Sequence, residues 1–120
     1  MDMSNRIILC VSNAYLEKYY YNSLFEGIPQ SIQEELKIMS VLFTQDMGGI
    51  FLIAFEEDGT LILETEYEEN DYAYDEIGSG LLIGEVKRRK AELLESLNLY
   101  YRIFILKESP ADVLEESESV

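Results

Sequence analysis

The chain has 120 residues and a formal net charge of −15, from 24 acidic and nine basic side chains, with no histidine and a single cysteine. Those counts exclude Ser-His-Asp and Cys-His catalysis, histidine-based zinc or iron sites, thiolate metal clusters and an internal disulfide. A chain this acidic is repelled by nucleic-acid phosphates and anionic membranes and attracted to cations, while its 48% apolar content supports one ordinary core.

In chain order, Arg6–Val11 is a short apolar run rich in β-formers and reads as a buried strand, with Cys10 a core thiol inside it. Ser12 then offers an N-cap, and Tyr15 and Tyr19 at i, i+4 predict a helix over Asn13–Asn22. Gly27 and Pro29 mark a loop before a second helix, in which Ile32, Leu36, Met39 and Phe43 recur at helical spacing. That helix is expected to run through about Ile38, with residues 39–46 open between helix and strand. Gly49–Glu56 and Thr60–Glu68 flank Glu57-Asp58-Gly59 as a hairpin. A three-residue loop with Gly59 left-handed pairs Phe55 with Leu61, Ile53 with Leu63 and Phe51 with Thr65, keeping the bulky apolar residues on one face. The same register puts Glu64, Glu66 and Glu68 together on the other face. A long helix is expected over Ile77–Leu97, its inner stripe Ile83, Val86, Lys90, Leu93, Leu94 and Leu97. Tyr100–Leu106 reads as a last strand. The fold class is therefore α+β: a small antiparallel or mixed sheet containing the 49–68 hairpin, packed against the 77–97 helix. Residues 1–107 make one globular domain, and residues 108–120 an acidic, disordered tail.

Charge is unevenly spread. Residues 56–76 hold ten Asp or Glu and no Lys or Arg, whereas residues 77–107 carry a net +3. The hairpin turn takes the first three of those ten carboxylates and the strand the next three. The four in the 69–76 loop have no assigned structural duty and lie beside Tyr72 and Tyr74. Glu64, Glu66, Tyr67, Glu68, Asp71, Tyr72, Tyr74 and Asp75 are thus the candidate partner-binding residues. Negative charge interleaved with π faces suits a basic protein or peptide. The bland alternative is an exposed strand edge and loop kept charged for solubility. A divalent-cation site or a carboxylate-based enzyme is the rival class, and it requires carboxylates from distant segments, such as Asp46 and Asp75, to converge. The spacing of Gly78, Gly80 and Gly84 does not match a dinucleotide fingerprint, so no cofactor is implied. Lys87-Arg88-Arg89-Lys90 spreads around more than one helical turn, and i, i+4 pairing of Glu85 with Arg89 and of Arg88 with Glu92 neutralises it. A rival placement sets this basic turn near the Glu64–Glu68 face. Direct nucleic-acid binding is not expected. The apolar tract Ile38–Phe55 is broken by Asp46 and Gly48–Gly49, which argues against a membrane span, and no signal peptide is evident. The expectation is a cytoplasmic protein, with tyrosine-rich surfaces that suit a homodimer.

The segments VLFTQDMGGI (Val41–Ile50), YDEIGSGL (Tyr74–Leu81) and LEKYYYN near the start resemble a small bacterial family of uncharacterised domains of unknown function. The resemblance runs from about residue 6 to 107. It implies a bacterial cytoplasmic protein and carries over no activity, cofactor or catalytic residue.

Overall fold

The computed structural model describes residues 5–118, with side chains as far as Leu114; residues 1–4 and 119–120, the ends of the expected domain and tail, lie outside it. Four strands form one antiparallel sheet: β1 (Ile7–Asn13), β2 (Lys18–Tyr21), β3 (Ile50–Phe55) and β4 (Leu61–Glu66), in spatial order β2-β1-β3-β4. Helix α1 (Gln30–Met47) connects β2 to β3, and α2 (Glu76–Arg89), α3 (Ala91–Tyr100) and α4 (Pro110–Glu118) follow the sheet. The α+β class expected from the sequence is the class observed. No helix among the described residues is long and apolar enough to cross a membrane.

The β3–β4 hairpin adopts the three-residue loop. Phe55 pairs with Leu61, Ile53 with Leu63 and Phe51 with Thr65. The Glu56 amide donates to the Thr60 carbonyl, and Gly59 takes a φ of 93° that an L side chain rarely adopts. Strand alternation then sends Phe51, Ile53, Phe55 and Leu63 into the core, where they meet Leu36, Met39 and Phe43 of α1. Leu82, Ile83 and Val86 of α2, and Leu93, Leu94 and Leu97 of α3, join the same cluster, so these three helices cover one face of the sheet. Phe55 stacks on Tyr101 at 4.4 Å, and Phe43 on Phe51 at 4.4 Å. Each such pair adds about 0.5–1.5 kcal/mol beyond its buried area.

A polar seam fixes how α1 sits on the sheet. Cys10 and Ser12, two apart on β1, face Ser40 and Thr44, four apart on α1. The Ser12 and Thr44 hydroxyls bond at 2.8 Å, and the Cys10 sulfur lies 3.8 Å from the Ser40 hydroxyl. Burial pushes the Cys10 thiol up to about 11 and raises the neighbouring Tyr19 hydroxyl as well. Cys10 is a core residue, and its thiol is protonated at neutral pH.

Three expectations are corrected and one open stretch takes a definite form. Residues 13–22 are not a helix. The Asn13 side chain accepts hydrogen bonds from the Tyr15 and Leu16 amides, Glu17 adopts a φ of 52°, and the chain reverses into β2. Cα partners Cys10–Tyr21 and Ser12–Tyr19 put Tyr19 and Tyr21 on the helix-covered face, so the tyrosine run follows period two. Residues 39–46, left open, are helical throughout α1, because Met39, Ser40, Phe43 and Thr44 continue the buried stripe. The 77–97 helix is interrupted at Lys90, whose φ of −108° and ψ of 24° redirect the chain into α3. Finally, Tyr100–Leu106 is no strand but a continuation of α3, with a π-helical turn over Tyr101–Ile105. Gly59 explains this: Tyr101, Arg102 and Leu106 pack against it, and the Asn98 side chain donates to its carbonyl. The segment lies over the hairpin tip, and that docking overrides its β-forming composition. In the tail expected to be disordered, α4 forms and buries Val113, while Arg102 grips Glu108 at 2.7 Å.

Candidate functional site

The β4 strand ends at Glu66, and residues 67–75 run from the sheet edge to the start of α2. Its architecture is built from below by a glycine. Gly49, between α1 and β3, has a φ of 68°, and a Cβ placed on it would lie 2.6 Å from the Tyr74 ring and 2.8 Å from the Glu66 carbonyl. The missing side chain lets Tyr74 lie flat there. Tyr67 then stacks on Tyr74, with ring centroids 4.6 Å apart and planes 14° from parallel. The buried Ser79 hydroxyl donates to the Tyr74 hydroxyl at 2.7 Å and fixes the ring's far end.

The carboxylates around this stack have duties that the sequence reading did not assign. The Asp75 side chain caps α2 by accepting from the Gly78 amide at 2.9 Å, where its charge also meets the positive end of the helix dipole. Asp71 accepts from the Tyr15 hydroxyl at 2.6 Å, and that hydroxyl in turn accepts from the Glu68 amide at 3.0 Å. The Tyr15 hydroxyl titrates above its usual range, first through desolvation and then through its bond to Asp71. Glu76 accepts from the Tyr67 hydroxyl. Glu64 pairs with Arg6 at 2.6 Å across the sheet, and Glu68 lies beyond the end of β4, so it does not extend the Glu64–Glu66 strand face as expected.

What the loop leaves on the surface is a shallow depression of about 530 Å³ lined by Tyr67, Glu69, Asp71, Tyr72, Tyr74, Asp75, Glu76 and Ile77. No lysine or arginine lines it. Tyr72 is 93% exposed, with the largest exposed ring face of the group. Of the candidates named from sequence, Tyr67, Asp71, Tyr72, Tyr74 and Asp75 meet here; Glu64, Glu66 and Glu68 do not line the depression. Sequence reasoning missed Glu69, Glu76 and Ile77 as lining residues, and it missed Tyr15, Ser79 and Gly49 as their supports. The Gly49 requirement had a local signal, since a Gly48–Gly49 pair after an apolar helix announces positive φ. Tyr15 lies 56 residues from Asp71 and had none.

Chemically, the arrangement presents stacked and free π faces beside carboxylates. Among the described residues no three acidic or thiol groups gather closely enough to hold a metal ion. Asp46 and Asp75 line different depressions: Asp46 belongs to an apolar groove between α1 and α2, with Ile38, Leu42, Leu82 and Val86. The basic turn is partly neutralised, Arg89 by Glu85 at 2.5 Å and Lys90 by Glu35 of α1 at 3.0 Å. The expected Arg88–Glu92 pair does not form, because the break at Lys90 separates the two residues onto different helices.

A family of unknown function, DUF6145, matches residues 6–109. The chain belongs to that family. No curated protein and no solved structure matches the chain. The DUF6145 match spans all four strands and α1 to α3, includes the Tyr67–Tyr74 stack and its Gly49 support, and ends just before α4.

Proposed function

We propose that this DUF6145 chain is a non-catalytic interaction module whose 67–77 surface receives a basic segment of a partner protein. The observation that supports this is the depression itself: three tyrosines and four carboxylates with no basic side chain to satisfy them. A cation over an exposed aromatic face gains about 0.5–1 kcal/mol, and an exposed ion pair at most about 1 kcal/mol. One lysine or arginine side chain therefore binds no tighter than roughly millimolar, which corresponds to about 4 kcal/mol. Useful affinity requires several cations in a row, so the reading is of a basic segment and not of a free amine.

The test is an NMR titration of the protein with acetyl-Lys-Arg-Lys-Arg-amide at low salt. Shifts should concentrate in residues 67–77 and shrink steeply as ionic strength rises, and Tyr72→Ala should weaken binding about three- to fivefold without unfolding the chain. Tyr72 is the informative position because its ring supports nothing in the fold. Shifts spread evenly over the acidic surface, with Tyr72→Ala neutral, would rule the site out.

A further inference from the structure

The most exposed apolar side chains after Tyr72 lie on α2. Ile77 is 78% exposed and Leu81 is 73% exposed, one helical turn apart on the same face. Arg88 continues that face seven residues beyond Leu81, about 10 Å along the axis. Charge along the helix is polarised. Asp75 and Glu76 stand at its start and Lys87, Arg88 and Arg89 at its end, and neither Lys87 nor Arg88 forms an ion pair among the described residues. A helix that is acidic at one end, apolar in the middle and basic at the other is complementary to itself turned end for end.

We propose that a second copy of this chain docks on this face, through antiparallel pairing of the two α2 helices about a two-fold axis. Setting Glu76 level with Arg88 of the second copy centres the axis at Leu82, and Glu76 then meets that copy's Lys87, which lies on the same side of the exposed face, about 20° from it around the helix. Each Leu81 then sits beside the axis, and each acidic 69–76 loop lies against the other copy's Lys87 and Arg88. Gly80 and Gly84 face each other in this register, and nothing stands within 4 Å of the space their side chains would fill, so the backbones can approach closely. The arrangement is isologous and closed, with every contact made twice. It rests on the reading of the 67–77 surface as cation-receiving, and it names the cation: the one basic turn of an otherwise acidic molecule. A 14-residue helix spans about 21 Å, so two helices and two loops form an interface at the small end of the range for specific association. The dimer is accordingly reversible, with dissociation in the micromolar range.

Salt is a poor readout, since screening weakens the Glu76–Lys87 contacts while relieving repulsion between two chains of −15 each. Charge exchange is unambiguous. In sedimentation velocity of the full chain, the wild type should dimerise as concentration rises from 1 to 300 µM. K87E and E76R should each raise the dissociation constant at least tenfold, because each homodimer then opposes like charges. An equimolar mixture of K87E and E76R should dimerise again, since each copy then supplies the charge that the other lacks. Circular dichroism checks that each variant is folded. Leu81→Asp, on an exposed side chain, should abolish association with the fold intact. A wild type monomeric at 300 µM, or a mixture that stays monomeric, overturns the proposal. If the wild type is monomeric while acetyl-Lys-Arg-Lys-Arg-amide still binds residues 67–77, the dimer fails and the interaction-module reading stands; if neither occurs, both fail.

Discussion

Gly49→Ala tests whether the tyrosine stack depends on the absence of one side chain. Alanine at a φ of 68° costs about 1–2 kcal/mol, offset by about 0.4–1 kcal/mol from a less flexible unfolded chain. The larger contribution is steric. The new methyl would lie 2.6 Å from the Tyr74 ring and 2.8 Å from the Glu66 carbonyl, and the second is backbone in a paired strand. Overpacking of this kind costs about 1–3 kcal/mol, so the total is about 1–5 kcal/mol. Gly48→Ala isolates backbone strain, since nothing lies within 4 Å of its Cβ while its φ of 73° and ψ of −165° fall in a region that only glycine occupies readily. Urea unfolding should show both variants destabilised, with Tyr74→Ala relieving Gly49→Ala and leaving Gly48→Ala unrelieved. The near-ultraviolet dichroism of the tyrosines should change only in Gly49→Ala. Adding Tyr74→Ala should recover part of the loss, because the ring is one of the two obstructions; the carbonyl remains. Unchanged tyrosine signals in Gly49→Ala, with no recovery on adding Tyr74→Ala, would refute the claim that Gly49 is there to seat Tyr74.

Cys10 should resist thiol reagents at pH 8 in the folded protein, with its thiol pushed up to about 11 by burial, and should react at the rate of global or local unfolding; fast labelling in native buffer would contradict the packing of β1 on α1. Leu97→Ala should cost about 2–5 kcal/mol in chemical denaturation, since Leu97 is buried where α3 meets the hairpin and truncation leaves a cavity. Arg102 holds the Glu108 carboxyl below its ordinary value of 4.5, so this contact contributes stability above that pH and loses it as pH falls through the lower folded value. The stability difference between wild type and Glu108→Gln should be present at pH 7 and vanish once the pH falls below the lowered folded value; a difference that grows toward acid would reverse the sign of the argument.

Much of the fold was legible because period and turn chemistry agreed. The hairpin register followed from one constraint, that Phe51, Ile53 and Phe55 share a face with Leu61 and Leu63, and Gly59 in the left-handed conformation made it possible. Helix α1 was legible in the stripe Ile32, Leu36, Met39 and Phe43, although the β-forming run at its end obscured how far it extends. Two of the misread segments, 13–22 and 100–106, failed for opposite reasons. At Asn13 a side chain captured two amides and turned the chain, a local event whose signal was outweighed by the coincidental Tyr15–Tyr19 spacing. At Tyr101 no local signal existed, because helical continuation is stabilised by contact with a glycine more than 40 residues earlier.

The candidate site shows the same division, with a consequence for how its acidity is understood. Counting charges made the loop carboxylates equivalent. Their hydrogen bonds separate them: Asp75 caps α2, Asp71 ties the loop to the β1–β2 turn through Tyr15, and Glu76 meets Tyr67, while Glu69 makes no hydrogen bond or ion pair among the described residues. A carboxylate that accepts one hydrogen bond keeps its charge and its remaining lone pairs, so anchoring does not remove it from recognition. It does the reverse, because a fixed carboxylate loses less conformational freedom when a cation arrives. The surface is thus an aromatic stack held by Gly49 and Ser79, bordered by negative charges whose positions the fold has already set. Tyr72 is the side chain left free, and on the proposed reading it is the one that closes over a bound cation. Removing Tyr72 should therefore lower affinity with little effect on stability, whereas removing Asp75 should lower both.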